Sequence, residues 1–250
     1  MAKQGRVSAP MSESMPQPAP PRLTIALNVA GRPVLVVGLG PVGRRKAASL
    51  AEAGALVSGI DPRDDPAFVA ELAGIPLARR WIEPYRAERL DAEAWALVAL
   101  CAPEEVNRIA AAEAQNRGLW VATASEPERS DWILPARQRL GNSRATLALS
   151  TEGAGPALAA ALVRRAAEAI QPWNDWIAAA GRLRAEARAT IADPAQRRAW
   201  VASLASEPRL EQVRNQGVSV VEAQAREELR RLRGPLLNRD PLGESASFPP

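Results

Sequence analysis

The sequence predicts an α/β fold: a parallel sheet wound with helices in the first half of the chain, followed by an almost wholly helical remainder. Three observations predict it. Short Val/Leu/Ile runs alternate with helix-like segments from Pro33 to Thr123 across short links, the order that produces parallel strands joined by crossover helices. A glycine-rich turn, Gly38–Gly43, separates the first such run from the first helix. From Pro156 onward the composition shifts to Ala, Arg and Glu, with breaks at Gln171-Pro172, Asp193-Pro194, Glu207-Pro208 and Gly217.

Taken in order, Leu23–Val29 is a short apolar stretch ending at Gly31-Arg32-Pro33. Pro33–Val37 is a buried strand by its unbroken Val/Leu run. Val42–Ala53 is a helix closed by Gly54; Gly43, Ala47, Leu50 and Gly54 recur at three- or four-residue spacing and mark its sheet-facing side. Leu56–Ile60 is the second strand, stopped by Asp61-Pro62. A helix over Asp65–Ala73, a short strand within Ile75–Ile82, a strand over Trp95–Leu100, a helix over Glu104–Arg117 and a strand over Leu119–Thr123 continue the alternation. Trp132–Arg139 and Arg144–Ser150 read as two further strands joined through Leu140-Gly141-Asn142-Ser143. The Pro- and Ser-rich residues 1–20 and the Pro/Ser/Gly-rich residues 235–250 are expected to be disordered tails.

Composition removes several kinds of chemistry. There is no histidine, which excludes His-based triads, His-ligated metals and the commonest general base. Cys101 is the only cysteine, so no disulfide can form within the chain. No apolar run approaches the ~18 residues of a membrane span, and residues 1–20 lack the apolar core of a secretory signal. A cytoplasmic protein with no membrane partner is expected. Acidic and basic residues are interspersed around a net charge of +4, and no nucleic-acid-binding signature accompanies them. Nucleic acid is therefore not expected as a partner.

The pattern Gly38-x-Gly40-x-x-Gly43 would be weak alone, but it follows a buried strand, opens a helix and precedes an acidic residue at the next strand end. That context is the one a Rossmann-type dinucleotide site requires. Gly38 permits the turn, Gly40 lets backbone approach the pyrophosphate, and Gly43 permits close packing of the helix. Pro41 and Val42 complete the turn, placing the diphosphate on the helix start. Asp61, 18 residues beyond Gly43, is placed to accept from the adenosine ribose hydroxyls, with Pro62 beside it. A carboxylate there favours NAD over NADP, and Arg63 weakens that preference. The same residues would also serve a bare strand–helix turn with a capping aspartate.

Further segments resemble the precorrin-2 dehydrogenase/sirohydrochlorin ferrochelatase family, the NAD-binding module of siroheme synthases. Gly31-Arg32, the run Val34–Gly43 and Arg44-Arg45-Lys46 are similar to the opening of that family. Leu100-Cys101-Ala102-Pro103-Glu104-Glu105-Val106-Asn107 resembles its A-T-x-D-P-x-x-N segment, and Asp131-Trp132-Ile133-Leu134-Pro135-Ala136 its D-F-I-L-P-A segment. Ala148–Leu158 resembles its A-I-S-T-G-G-x-S-P-A-L segment. The resemblance implies a Rossmann domain over residues 21–134, a dimerisation region over 135–168 that exchanges contacts in a homodimer, and a helical domain over 169–234. It also implies NAD-dependent oxidation of precorrin-2 to sirohydrochlorin, with Fe²⁺ insertion in bifunctional members. The substrate bears eight carboxylates, for which Arg129, Arg137 and Arg139 are candidates by position.

The chain departs from the family where acid/base chemistry is expected. The family's N-V-V-D-x-P segment corresponds to Ala122-Thr123-Ala124-Ser125-Glu126-Pro127, so Ser125 stands at the position of the catalytic Asp. A serine hydroxyl is a poor base without an activating partner. Glu126 is the candidate to supply the carboxylate, and Asp131 is either a third catalytic candidate or a structural carboxylate. Cys101 takes the place of a Thr near the nicotinamide, or serves as a small buried residue. Glu152 replaces the first Gly of S-T-G-G. These losses put ferrochelatase activity in more doubt than dehydrogenation, and they leave open a non-catalytic NAD-binding dimer that regulates or scaffolds tetrapyrrole synthesis. A dehydrogenase for another small molecule is the third alternative.

Overall fold

The computed structural model describes residues 22–126, 129–141, 143, 145–152 and 155–232. Both expected tails lie outside the described residues, as do Pro21, Arg233 and Gly234. The chain divides between Leu134 and Pro135 into two compact units.

The first unit is a five-stranded parallel sheet built from β1 (Pro33–Val37), β2 (Leu56–Ile60), β3 (Leu77–Trp81), β4 (Leu97–Leu100) and β5 (Val121–Thr123), in the order β3-β2-β1-β4-β5. The order reverses between β1 and β4, which makes their carboxyl ends a topological switch point. Val34, Val36, Ala99, Ala47 and Leu50 pack on one face of the sheet and Leu35, Val37, Val98, Leu100 and Ala110 on the other. Burial on both faces explains why β1 reads as a continuous apolar run; each fully buried Val or Leu contributes about 1.5–3 kcal/mol. Helices α1 (Pro41–Glu52), α2 (Pro66–Glu71) and α3 (Glu104–Asn116) supply the crossovers. Asp65 caps α2 by accepting from the Phe68 amide at 3.0 Å. A 3-10 turn at Ala87–Leu90 has no counterpart in the expected pattern.

The second unit opens with an antiparallel pair, β6 (Ala136–Arg139) and β7 (Thr146–Leu149), against which α4 (Pro156–Ile170) packs. The expected strand over Trp132–Arg139 is shorter by four residues at its start. The Asp131 amide donates to Val121 O at 2.7 Å and the Trp132 indole to Trp120 O at 3.1 Å. That stretch is therefore held alongside β5, and Pro135 has no N–H with which to begin the ladder earlier. Helices α5 (Asn174–Thr190), α6 (Pro194–Ser203), α7 (Glu207–Gln216) and α8 (Val218–Leu232) follow. They enclose Trp176, Leu183, Trp200, Val221 and Leu229. The breaks have local causes: Asp193 caps α6 through the amides of Ala195 and Gln196, and Gly217 ends α7 with a positive φ of 84°.

Candidate functional site

The register brings the motif residues to one edge. Val37 pairs with Ile60 on one side and with Leu100 on the other, and Leu100 pairs with Thr123. Gly38, Asp61 and Cys101 each follow immediately at a strand end, and Ser125 lies two residues past β5. Backbone bonds lock the level: Gly38 N to Ile60 O at 2.8 Å, Cys101 N to Val37 O at 2.7 Å and Ala124 N to Leu100 O at 2.9 Å. A cleft of about 530 Å³ opens here, lined among others by Gly38, Gly40, Asp61, Tyr85, Cys101 and Val106.

The three glycines are demanded for different reasons. Gly38 has φ 84°, and a Cβ there would lie 2.5 Å from Ala102 N. A Cβ on Gly43 would lie 1.9 Å from Gly38 O, so the helix touches the turn at that point. Gly40 is different: its Cβ would meet only the Arg63 guanidinium, at 3.9 Å. Nothing in the protein forbids a side chain at Gly40, and its absence leaves backbone open to a ligand. Pro41 and Val42 are exposed in the first turn of α1. Pro41 has no N–H, and the first-turn amides of Val42 and Gly43 lack helical acceptors. The positive end of the helix dipole adds to the attraction for a diphosphate. The residues present thus fit a nicotinamide dinucleotide.

Asp61 is buried, with 3% of its surface exposed. Its Oδ2 accepts from Leu39 N at 2.8 Å and from the Arg63 guanidinium at 2.6 Å; its Oδ1 accepts from Arg63 N at 3.1 Å and Arg63 Nε at 2.8 Å. Burial works against its charge, but the Arg63 and backbone hydrogen bonds outweigh it and hold the carboxyl below its ordinary range. Pro62 lines the same part of the cleft. Arg63 lies over the Phe68 ring at 4.0 Å, and Arg80 approaches that ring at 5.6 Å.

The β4 and β5 ends are joined by Asn107, which is 2% exposed. Its amide oxygen accepts from Ala102 N at 3.0 Å, and its NH₂ donates to Ala102 O at 2.8 Å and to Ser125 Oγ at 3.3 Å. Ser125 Oγ also lies 3.1 Å from Thr123 Oγ1. The Ser125 hydroxyl is therefore set in a neutral network. Glu126 forms an ion pair with Arg129 at 3.3 Å. Asp131 turns its Oδ2 to Val121 N at 2.9 Å, while Ser130 Oγ accepts from Thr123 N at 2.9 Å. The two residues close the outer edge of β5, which gives Asp131 a structural task. Pro127 and Glu128 lie outside the described residues.

Cys101 is a partly buried thiol whose pKa burial pushes up, with Lys46 opposing. Burial lowers the Lys46 pKa in turn, and its ammonium lies 5.8 Å from the Trp132 ring centroid. Arg129 is at the β5 end, whereas Arg137 and Arg139 belong to β6 in the second unit. Among the described residues no group of three or more Asp, Glu, Cys or His side chains is arranged to hold a metal ion, and no helix is long and apolar enough to cross a membrane. Sequence reasoning passed over the roles of Asn107 and Lys46. Asn107 stood at the end of a matched segment, and Lys46 is one of two lysines in the chain.

Sheet order, glycine turn and buried Asp61 together define a nicotinamide dinucleotide-binding protein of the Rossmann class. Residues 25–136 match a family model described as "Putative NAD(P)-binding". Siroheme synthase 1 of Aeromonas salmonicida is 32% identical over 200 residues, covering 78% of this chain and 41% of the relative. Siroheme synthase of Methylococcus capsulatus is 32% identical over 216 residues, covering 82% and 44%. The fold is similar to the solved structure of SirC, a precorrin-2 dehydrogenase, with a TM-score of 0.66 at 19% identity, over 84% of this chain and 100% of that one. Over about four fifths of its own length the chain is similar to siroheme synthases, at 32% identity. It spans about two fifths of the length of the siroheme synthases it matches.

Proposed function

We propose that the chain is an NAD-dependent dehydrogenase that oxidises precorrin-2 to sirohydrochlorin in siroheme biosynthesis. The observation that carries the reading is the convergence of Gly38, Gly40, Asp61 and Cys101 at the switch point of a sheet similar to that of a precorrin-2 dehydrogenase. Asp61 supports NAD as the cofactor, since a buried carboxylate repels a 2′-phosphate.

When bound, the nicotinamide supplies the hydride acceptor. The chain's own residues do the rest. The turn at Gly38–Gly43 holds the diphosphate, with Pro41 and Val42 shaping the first turn, and Asp61 with Pro62 flanks the adenosine. Cys101 faces the cleft beyond β4. Loss of hydride from a saturated carbon must be matched by loss of a proton, and Glu126, beside Ser125, is the carboxylate proposed to take it. Asp131 is retained as a third candidate, although its Oδ2 is engaged by Val121 N. Holding substrate against nicotinamide can by itself accelerate such a transfer, so oxidation tolerates the Ser125 exchange better than metal insertion does. The proposal therefore stops at oxidation, with Fe²⁺ insertion as a separate question for experiment.

The protein is further proposed to act as a cytoplasmic homodimer in which residues 135–168 exchange contacts. Within this stretch α4 presents Leu158 and Leu162, four residues apart, at 59% and 43% exposure, and burial of such side chains against a second copy is favourable. Incubation of the purified protein with precorrin-2 and NAD should produce sirohydrochlorin absorption and NADH together. NAD binding without turnover would instead establish a non-catalytic, regulatory or scaffolding protein, the reading that Ser125 favours. Adding Fe²⁺ to the same assay tests chelation as a gain over the spontaneous rate.

A further inference from the structure

The adenosine end of the cleft carries more positive charge than a site for NAD alone requires. A carboxylate offers about four lone-pair positions. In Asp61 two are taken by backbone amides, Leu39 N and Arg63 N, and the other two by the Arg63 guanidinium. A ribose diol donating to Asp61 has to take the two positions that this guanidinium fills. Arg63 must then move, and its reach is limited. It is tethered two residues from Asp61, its side chain is half-exposed, and its stacking surface is Phe68. Arg80 braces the same place. It donates to Arg63 O at 2.6 Å and to Asp64 at 3.0 Å, and its buried Nε has no acceptor among the described residues.

We infer that Arg63 is the residue that sets the choice between NAD and NADP, and that it does so by exchanging the Asp61 carboxylate for a 2′-phosphate. With NAD, the displaced guanidinium gains no anionic partner at the ribose. With NADP, the 2′-phosphate replaces the carboxylate as its charge-assisted, bidentate partner and offsets the repulsion from Asp61. The cleft therefore accepts both nucleotides with a narrow margin. This inference rests on the cofactor reading above and adds to it the residue that sets its specificity.

Calorimetry with NAD and NADP on the full chain tests it. Wild type should bind both, with dissociation constants within about tenfold of each other, because one guanidinium and one carboxylate act in opposite directions. Arg63→Ala should leave NAD binding equal or tighter and widen the preference for NAD at least about tenfold, the loss of one charge-assisted pair. Arg63→Lys should fall between the two, since it keeps the charge without the fork. Asp61→Asn, whose amide oxygen can still accept from Leu39 N, should shift the preference the opposite way, toward NADP. A ratio unchanged by Arg63→Ala overturns the inference and leaves the cofactor reading intact. Failure of wild type to bind either nucleotide would remove both.

Discussion

The two ends of the cleft are built on different physics. At the β1–β2 end the contacts come mostly from backbone: the Gly38 amide on Ile60, the Leu39 amide on Asp61, and a helix start held against its own turn. At the β4–β5 end side chains make the contacts: Asn107 holds the Ala102 backbone and reaches Ser125, which meets Thr123, and Glu126 is turned to Arg129. Backbone geometry depends on a few glycines, and any sequence that keeps them keeps the cradle. Side-chain chemistry depends on the identity of each residue. If Ser125 stands where the resemblance places an Asp, as proposed, one exchange leaves the network hydrogen-bonded and removes its acid/base group. Binding and catalysis can thus diverge within one cleft.

The comparison breaks first, and by the largest margin, at the turn. Gly43→Ala forces a Cβ to 1.9 Å from Gly38 O. The variant should lose at least about 1–3 kcal/mol of stability, as overpacked sites do, and its nucleotide binding should fall below detection in calorimetry. Gly40→Ala separates the two consequences. Its Cβ meets the protein only at 3.9 Å, so the melting temperature should stay within about 2 °C of wild type, as expected for a change of a few tenths of a kcal/mol. NAD affinity should nonetheless fall about tenfold or more, because the methyl group occupies the path of the diphosphate. If Gly40→Ala binds NAD normally, the open approach at this glycine is not where the cofactor lies.

Next in size is the chemistry at the other end. Ser125→Asp restores the group that the family carries. A positioned general acid/base contributes about 10²–10⁴-fold, and in a network not tuned for it a gain of about ten- to a hundredfold in kcat is expected, with KM for NAD unchanged. Glu126→Gln should lower kcat about tenfold if this carboxylate takes the proton in the absence of Asp. An unaffected rate would assign Glu126 to its ion pair with Arg129 alone. Both are read in the coupled sirohydrochlorin and NADH assay.

The same contrast decides what the sequence made legible. The parallel sheet and the glycine turn were readable because buried parallel strands are written as local apolar runs and because the turn chemistry is fixed by spacing. Asp61 was readable as a carboxylate at a strand end. Its capture by Arg63 was not, since that depends on a side-chain conformation and on Phe68 placed beneath it by α2. The role of Asn107 depends on two loops meeting across β4 and β5, a long-range fact with no local signature. Likewise the late start of the strand expected from Trp132 follows from Asp131 and Ser130 being drawn to β5, which no periodicity records. Glu152 is a case where sequence and structure explain each other: it adopts a φ of 50°, the left-handed region in which the family's glycine carries no penalty.

The smallest effect tests whether the β5 end also contains a purely structural acid. Asp131 accepts from Val121 N, and its own amide donates to Val121 O, so its carboxylate closes the sheet edge. Asp131→Ala removes the acceptor from a partly buried amide and should cost about 1–3 kcal/mol of stability. Asp131→Asn, which keeps an acceptor oxygen, should cost less than about 1 kcal/mol. In urea titration both should lower the midpoint in that order, while the kcat of the folded fraction remains that of wild type. A fall in kcat with Asp131→Asn, at unchanged stability, would move Asp131 from the sheet edge into the reaction. The cleft would then hold its acid/base group on the segment that follows β5, six residues beyond the position the family uses.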